Sequence, residues 1–295
     1  MIFVVIFYAG NIIVGKSINE LPPFTIAFFR LLIAFFIIFP IGLRGAWNNR
    51  FIFLKYKKPL LIMTLTGITF FNTFIYGALQ FTTASNVSVL ETVIPVMTIV
   101  LSALLIKETI KFQQWIGIVL SFFGAILVIM NGSFLQLTQI NWNIGDAIMI
   151  GAILCWAIYS IAVKEYMHLF PSYPVLLVMT GISVIVLLPF VTIEWIVLGI
   201  PILSIDMMVG LLYLGIFPSL IALIFYNKVV DLLGASKASV FLNFLPVVTM
   251  IGAYFWLGET ISLLQIIGSL IVIVGVIVTT NVRTGEKHRK LNKVG

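Results

Sequence analysis

The chain has 295 residues, of which 61% are hydrophobic and only 9% are charged, and its mean hydropathy is +1.19. Soluble domains are about 45–50% apolar and about 25% charged, so this composition predicts an integral membrane protein and excludes a large soluble catalytic domain. Cys155 is the single cysteine, which excludes a disulfide framework.

Ten apolar segments follow one another along the chain. Each is close to the length of about 20 residues that crosses hydrocarbon as a helix. The segments are 1–18, 24–42, 60–81, 84–106, 115–130, 145–164, 174–195, 207–230, 235–257 and 264–280. They lack the alternation of apolar and polar residues that a transmembrane β-strand shows. The sequence therefore predicts an all-α integral membrane protein with ten transmembrane helices.

The basic residues predict the orientation of these helices. If the N-terminus is cytoplasmic, 15 of the 17 Lys and Arg residues lie in cytoplasmic connections or in the basic tail 281–295. Lys16 and Arg30 are the two exceptions. By the positive-inside rule, both termini are then cytoplasmic. The net charge of +7 is therefore interpreted as a topology signal, and no nucleic-acid partner is expected.

An internal repeat divides the chain into two halves, 1–130 and 145–280. Residues 82–130 align with 233–281 at an offset of 151 with 15 identities in 49 positions, and residues nearer the N-terminus align at an offset of 148. The identical pairs include Pro95/Pro246, Ser85/Ser236, Glu108/Glu259, Gly117/Gly268 and Gly124/Gly275. Because each half has five helices, the second must enter the membrane inverted. An inverted 5+5 repeat is typical of secondary transporters that work by alternating access.

Short motifs at the start of the chain and in both halves carry a family resemblance. They are Tyr8–Asn11, Val14–Lys16, Leu21–Thr25, Arg30–Leu32, and the stretch from Ala84 through Pro95 to Thr109 with its repeat from Ala235 through Pro246 to Thr260. Together they resemble the EamA family of the drug/metabolite transporter superfamily. Tyr8 departs from the pattern, because many relatives carry Trp there. The resemblance implies ten helices, cytoplasmic termini and export of amino acids, metabolites or toxic compounds across the bacterial inner membrane.

Glu91 is the only carboxylate that the predicted spans place well inside the hydrocarbon, where burying a charge is costly. Such residues belong by default to substrate or ion pathways, so Glu91 is a candidate for substrate binding and for proton coupling. Arg30 has a similar predicted depth, about 10 Å from the outer face. A structural ion pair between the two is therefore the alternative, and Arg30 alone is interpreted as structural or as snorkelling outward.

Pro95 and Pro246 each fall near the middle of a predicted span. A proline leaves the carbonyl four residues earlier without its donor and bends the helix. Bent helices at equivalent repeat positions point to the central site of a transporter, although a plain packing kink is the alternative. Thr92 and Asn243 lie three residues before each proline and are candidate substrate-binding residues.

Further polar and aromatic residues of the spans could hydrogen-bond to a substrate or stack on it, or could join helices to one another. The candidates are Asn11, Asn72, Tyr76, Trp156, Tyr159 and Tyr226. The repeated glycines Gly117, Gly124, Gly268 and Gly275 give smooth helix faces, which pack against neighbouring helices or form a homodimer contact. Glu108 and Glu259 are interpreted as helix caps or loop pairs.

Several other classes of site are not expected. Residues 10–17 fit the pattern G-x-x-x-x-G-K-[ST], but Pro22 and Pro23 follow closely and no soluble domain could hold a nucleotide. His168 and His288 lie outside the spans, so no catalytic residue, metal or cofactor is expected. The expected partners are a small-molecule substrate and membrane lipid. An integral membrane enzyme, a receptor or scaffold, and an importer are the remaining alternatives.

Overall fold

The structure is a computed structural model and describes residues 1–106, 111–129, 143–226, 242 and 244–280. Within these ranges the chain is helical and has no β-strand, which confirms the predicted all-α class. The first half forms α1 (Ile2–Ser17), α2 (Pro23–Asn48), α3 (Arg50–Lys55), α4 (Lys57–Met63), α5 (Phe71–Leu79), α6 (Ala84–Glu91), α7 (Ile94–Ile106) and α8 (Phe112–Ile129). The second half forms α9 (Ile144–Tyr166), α10 (Ser172–Leu198), α11 (Ile205–Ile216), α12 (Leu245–Leu257) and α13 (Leu263–Thr280).

In the described part of the chain, six helical stretches are long and apolar enough to cross a membrane. They are Pro23–Asn48, Lys57–Leu79, Ala84–Leu105, Ile144–Leu169, Ser172–Leu198 and Ile205–Tyr226. Shorter apolar helices occupy Ile2–Ser17, Phe112–Ala125, Leu245–Leu257 and Leu263–Val278. Thr83 separates two neighbouring spans by capping α6, because its side chain accepts a hydrogen bond from the Asn86 amide.

The outward faces of the long helices are apolar. Ile196 is 83% exposed and Trp256 is 81% exposed, and many other large apolar side chains point away from the core in the same way. Soluble monomers rarely present apolar surface on this scale, whereas hydrocarbon solvates it at no cost. The chain is therefore a multi-pass membrane protein.

Two spans contain a π-helical stretch, Thr64–Phe70 between α4 and α5, and Phe217–Ala222 after α11. Hydroxyl groups stabilise the wider turns. Thr69 Oγ1 donates to the Thr64 carbonyl at 3.1 Å, and Ser219 Oγ donates to the Leu214 carbonyl at 2.7 Å. In each case the acceptor lies five residues earlier, as in the π-helical pattern, and such bulges are frequent at functional sites.

Helices α8 and α13 pack antiparallel through glycines that correspond in the repeat. A Cβ on Gly124 would lie 2.7 Å from the Gly268 carbonyl oxygen, and a Cβ on Gly275 would lie 2.8 Å from the Gly117 carbonyl oxygen. Gly117 corresponds to Gly268 and Gly124 to Gly275 at the repeat offset of 151, so the two contacts are equivalent. The glycine faces of α8 and α13 therefore pack against each other within one chain. A homodimer contact was the alternative considered for them.

The starts of α8 and α13 also share a local structure. The Lys111 amide donates to Gln114 Oε1 at 2.9 Å, and the Ser262 amide donates to Gln265 Oε1 at 2.9 Å. The two pairs are again 151 residues apart. Equivalent residues of the two halves thus form equivalent helix starts.

Candidate functional site

The span Ala84–Leu105 is broken near its middle, where α6 ends at Glu91 and α7 begins at Ile94. Thr92 and Val93 form a turn, and Pro95 follows in the first turn of α7. Helix α12 likewise begins at Leu245, which corresponds to Ile94, with Pro246 in its first turn. The two prolines thus lie in the first turns of helices that begin at equivalent positions of the repeat.

Arg30 lies at the centre of a polar cluster that joins α1, α2, α5 and the second π-helical stretch. Its side chain is only 3% exposed. The guanidinium donates to Ser219 Oγ from Nε at 2.9 Å and from Nη2 at 2.7 Å. Its Nη1 donates to Asn72 Oδ1 at 2.7 Å, to Asn11 Oδ1 at 3.0 Å and to the Tyr76 hydroxyl. We call Arg30, Asn11, Asn72, Tyr76 and Ser219 the Arg30 cluster.

The Arg30 cluster corrects two expectations. None of the hydrogen bonds of Arg30 goes to Glu91, so the ion pair considered as an alternative is not formed. Snorkelling of Arg30 is also wrong, because the buried guanidinium has acceptors on three neighbouring elements and no need to reach the membrane surface. Three of the predicted binding residues, Asn11, Asn72 and Tyr76, are brought together by this one side chain.

Sequence reasoning missed Ser219 and Tyr8. Ser219 gave no signal, because its role depends on the π-helical turn. The Tyr8 hydroxyl is buried and has no hydrogen-bond partner in the described part of the chain. Tyr8 interacts electrostatically with Arg30, Glu91, Tyr159 and Tyr226, which places four charged or phenolic groups around it.

Glu91 ends α6 at the broken point of its span. Its side chain is only partly buried and accepts no hydrogen bond from a described residue. Thr92, in contrast, is 4% exposed and donates to the Val89 carbonyl of its own helix at 2.6 Å. The Glu91 carboxylate thus has no hydrogen-bond donor among the described residues, whereas the Thr92 hydroxyl is hydrogen-bonded at the end of α6.

Trp156 and Tyr159 belong to an aromatic cluster on α9. The Trp156 ring centroid lies 4.3 Å from that of Phe71 and 4.9 Å from that of Tyr159. Tyr159 also packs directly on Gly67, where a Cβ would collide with its ring. Glycine is thus required at 67 by the close approach of α9 to the first π-helical stretch.

The two remaining predicted binding residues, Tyr226 and Asn243, are not part of the Arg30 cluster. Tyr226 is partly buried at the end of its span and interacts electrostatically with Tyr8 and Tyr159. Asn243 lies outside the described residues, as does Glu108.

A second polar network lies at one end of the bundle, where α1 ends and α2 and α6 begin. We call this end the Lys16 end. Glu259 accepts hydrogen bonds from the Ala84 amide at 2.7 Å and from the Ser85 hydroxyl at 2.7 Å. Lys16 Nζ donates to the carbonyls of Leu79 at 2.7 Å and Thr82 at 2.9 Å. Glu259 is therefore a helix cap, as expected, but it caps a helix from the other half of the chain.

Asp146 is a buried carboxylate that the sequence analysis did not consider. It is 5% exposed in the first turn of α9, where a negative charge is favoured by the helix dipole. Its Oδ1 atom has no hydrogen-bond partner in the described chain.

Comparison with known proteins identifies the family. The EamA-like transporter family matches residues 1–130 and 143–281, which is nearly the whole chain and falls into two copies. The chain belongs to the EamA-like transporter family.

The relatives of this EamA-like protein are named as transporters. The uncharacterized transporter YyaM of Bacillus subtilis is 28% identical over 77% of this chain and 74% of its own. An uncharacterized transporter of Archaeoglobus fulgidus is 26% identical over 92% of this chain and 93% of its own. A probable terminal-alkyne amino-acid exporter of Streptantibioticus cattleyicolor is 24% identical over 72% of this chain and 69% of its own.

The fold has also been seen in a crystal. A solved crystal structure superposes on this EamA-like protein with a TM-score of 0.63 at 15% identity, covering 94% of this chain and 97% of the other. This likeness shows the fold alone.

The nucleotide-binding pattern has no structural counterpart in this EamA-like protein. Residues 10–17 lie inside α1, which begins at Ile2, so their amides are oriented along a continuous helix. A phosphate-binding loop instead needs free amides that converge on the ligand before a helix starts. The match to the pattern is therefore coincidental.

Proposed function

We propose that this EamA-like protein is a secondary transporter that exports small metabolites, amino acids or drug-like compounds across the bacterial cytoplasmic membrane. It works by alternating access between two inverted five-helix halves, 1–130 and 145–280, each with five transmembrane helices. Both termini, including the basic tail 281–295, are cytoplasmic.

The reciprocal contact of α8 with α13 carries this proposal. Gly124 contacts Gly268, and Gly275 contacts Gly117. Because the two contacts exchange equivalent residues, the antiparallel helices α8 and α13 are related by a local two-fold axis. This reciprocal contact supports the proposal that the two halves are equivalent but inverted. A transporter with this symmetry can expose one central site to either side by exchanging the conformations of its halves.

The charges at the two ends of the bundle support the orientation. The Lys16 end carries mainly acidic residues, which are Glu20, Asp146, Glu194, Asp206 and Glu259. The opposite end carries mainly basic residues, among them Arg44, Arg50, Lys55, Lys57, Lys58, Lys111 and Lys164. Since basic residues are retained in the cytoplasm, the Lys16 end is the outer one.

The central site of the proposed transporter combines the Arg30 cluster with the broken span at Glu91. Polar groups in the interior of a membrane protein are costly and mark substrate pathways. Asn11, Asn72, Tyr76, Glu91, Thr92, Trp156, Tyr159, Tyr226 and Asn243 remain the proposed substrate-binding residues. Glu91 is the proposed proton-coupling residue, and uncoupled facilitation is the alternative.

An accumulation experiment in cells tests the proposal. Cells that overproduce the protein are loaded with labelled amino acids, their toxic analogues and cationic dyes, and are compared with cells that contain Glu91→Gln at equal expression. Depletion of one compound class from the wild-type cells alone supports export. If no compound is depleted from either strain, export by this protein is contradicted.

The direction of transport is tested in everted membrane vesicles. An exporter accumulates the depleted compound inside everted vesicles, whereas an importer accumulates it in right-side-out vesicles. The name of the Streptantibioticus cattleyicolor relative, a probable amino-acid exporter, favours the first outcome.

A further inference from the structure

The connection between the spans Pro23–Asn48 and Lys57–Leu79 carries an uncompensated positive charge. Its sequence from 44 to 58 contains no Asp or Glu and five basic residues, all of them exposed, which are Arg44, Arg50, Lys55, Lys57 and Lys58. None of the five forms an ion pair with a described residue. Glu165 is the one acidic residue that the described chain places at this end of the bundle. The protein itself therefore supplies little negative charge to balance this connection.

Large apolar side chains are exposed beside these charges. Three of them, each about two-thirds exposed, are Trp47, Phe51 and Leu54. On the opposite side of α3, Phe53 is buried and stacks parallel to Phe170, with ring centroids 5.7 Å apart. Tyr56 contacts the same Phe170 ring edge-on. One face of α3 is thus held against the second half of the chain, while the other face presents apolar and basic side chains together.

Arg50 is held in place on this outward face. Its Cζ atom lies 5.1 Å from the ring centroid of Trp47 and 4.7 Å from that of Phe51. Its Nη1 donates to the Trp47 carbonyl oxygen at 3.2 Å, whereas Nε and Nη2 have no acceptor among the described residues. The cation–π contacts restrict the side chain but leave its charge and these donors in place. Arg50 is therefore oriented in advance for an anion, and the planar guanidinium fork matches a phosphate.

The depth of α3 in the membrane follows from the length of α2. With 26 residues, α2 is about 39 Å long, which exceeds the hydrocarbon thickness of about 30 Å. The last turn of α2, with Trp47, and the following α3 therefore lie at the level of the lipid headgroups. Tryptophan is enriched at this level, because its ring is amphipathic.

We propose that the surface formed by Trp47, Arg50, Phe51, Leu54 and Lys55, which we call the α3 surface, binds an anionic phospholipid. The lipid phosphate accepts hydrogen bonds from the Arg50 guanidinium and from the Lys55 ammonium group, and the acyl chains cover the apolar side chains. In the topology proposed above, this lipid belongs to the cytoplasmic leaflet. The inference goes beyond the transport function and does not depend on which compound is transported.

The pairing of charge with exposed apolar side chains favours a lipid as the occupant. A phospholipid carries a phosphate and apolar chains in one molecule, and both kinds of exposed side chain are then covered. Inorganic phosphate or an acidic peptide would bind the basic groups but leave Trp47, Phe51 and Leu54 exposed. A zwitterionic lipid would cover these side chains but brings no net negative charge to the surface.

Quenching of tryptophan fluorescence by brominated lipids tests the proposal. The purified protein is placed in nanodiscs of phosphatidylcholine with a minor fraction of phosphatidylglycerol, and only one of the two lipids carries brominated chains. The signal of Trp47 is the difference between each protein and the same protein with Trp47→Phe. We expect brominated phosphatidylglycerol to quench Trp47 more strongly than its mole fraction predicts, because the anionic lipid is enriched at the α3 surface.

Variants of exposed residues locate the binding surface without disturbing the core. Since each basic residue near an anionic lipid surface contributes about five-fold in affinity, Arg50→Gln should lower the preference for phosphatidylglycerol about five-fold. Arg50→Gln combined with Lys55→Gln should lower it about 25-fold. Lys111→Gln is the matched control, because it removes an exposed lysine at the same end of the bundle but at the start of α8. We expect this control to keep the wild-type preference.

Three results would overturn the proposal. Quenching of Trp47 in proportion to mole fraction by both lipids would show that phosphatidylglycerol is not enriched there. If Lys111→Gln lowers the preference as much as Arg50→Gln, the attraction belongs to the whole basic end, and a site on α3 is excluded. If inorganic phosphate or polyglutamate displaces phosphatidylglycerol at constant ionic strength, the α3 surface binds soluble anions, and a lipid is not its occupant.

Discussion

The carboxylate of Glu259 accepts hydrogen bonds from both the amide and the hydroxyl of Ser85, at 3.2 and 2.7 Å. The two residues are 174 positions apart in the chain, and each has an identical counterpart in the repeat, Glu108 and Ser236. The contact ties the end of α12 to the start of α6. Since these elements belong to different halves, it fastens the halves together at the Lys16 end.

Removal of the Glu259 charge should loosen this end of the bundle. We expect Glu259→Gln to lower the free energy of unfolding by about 0.5–2 kcal/mol, because the start of α6 loses an anionic cap. Thermal unfolding in detergent measures the change. Glu20→Gln is the control, since Glu20 is exposed at the same end. Equal stability of the two variants would show that the cap contributes nothing.

Gly124→Ala should disrupt the packing of α8 on α13. The new Cβ would meet the Gly268 carbonyl oxygen at 2.7 Å and the Val272 amide nitrogen at 2.8 Å, and backbone atoms cannot move aside as a side chain can. We expect a loss of about 1–3 kcal/mol in thermal unfolding. Gly275→Ala should cost a similar amount, because its contact is the counterpart.

Gly77→Ala is the matched control for these two variants. A Cβ at Gly77 would lie 3.7 Å from Ile148 Cγ2, which is ordinary van der Waals contact. We expect this variant to be as stable as wild type or slightly more stable, since alanine favours the helix. If all three variants behave alike, the close approach of α8 and α13 is contradicted.

Tyr76→Phe should weaken the Arg30 cluster without changing its shape. The Tyr76 hydroxyl donates to Asn11 Oδ1 at 2.8 Å and accepts from Arg30, so its removal leaves buried polar groups short of a partner. We expect a loss of about 1–3 kcal/mol in unfolding free energy. Tyr254→Phe serves as the control, because Tyr254 is 57% exposed. A fully stable Tyr76→Phe protein would mean that the cluster adds little to stability.

Proton coupling through Glu91 makes a separate prediction about transport. In vesicles with an imposed pH gradient, we expect Glu91→Gln to abolish pH-driven accumulation while substrate exchange in the absence of a gradient continues. A glutamine keeps the size and hydrogen-bonding capacity of the side chain but cannot carry a proton. Accumulation equal to that of wild type would exclude Glu91 as the coupling residue, and Glu20→Gln controls for an unspecific loss of charge.

Much of the architecture could be predicted from the sequence, because helices in hydrocarbon are governed by local properties. Within the described residues the apolar segments overlap described helices, although the segment 84–106 is divided between α6 and α7. The repeated glycines were also correctly expected at a helix contact. What local pattern could not predict was the partner of each glycine face, since packing within the chain and packing between two copies require the same smooth surface.

The site was less predictable, because its contacts join distant parts of the chain. The acceptors of Arg30 lie 19, 42, 46 and 189 residues away. Residue type marked Asn11, Asn72 and Tyr76 as candidates but gave no reason to group them around Arg30. Arg30 and Glu91 have the same predicted depth in the membrane, which suggested an ion pair between them. In the fold, the Arg30 guanidinium instead donates to neutral acceptors.

The sequence by itself determined the membrane environment, the apolar segments and the repeated motifs of 82–130 and 233–281, because composition and residue pattern are properties of the chain alone. The tertiary structure decided which polar groups meet, as in the Arg30 cluster and in the Glu259 cap on Ser85. It also decided that the Tyr8 hydroxyl is buried without a hydrogen-bond partner among the described residues. These depend on how the helices are rotated about their axes and where π-helical turns shift their faces. Such rotations follow from the packing of all helices at once, and no single segment encodes them.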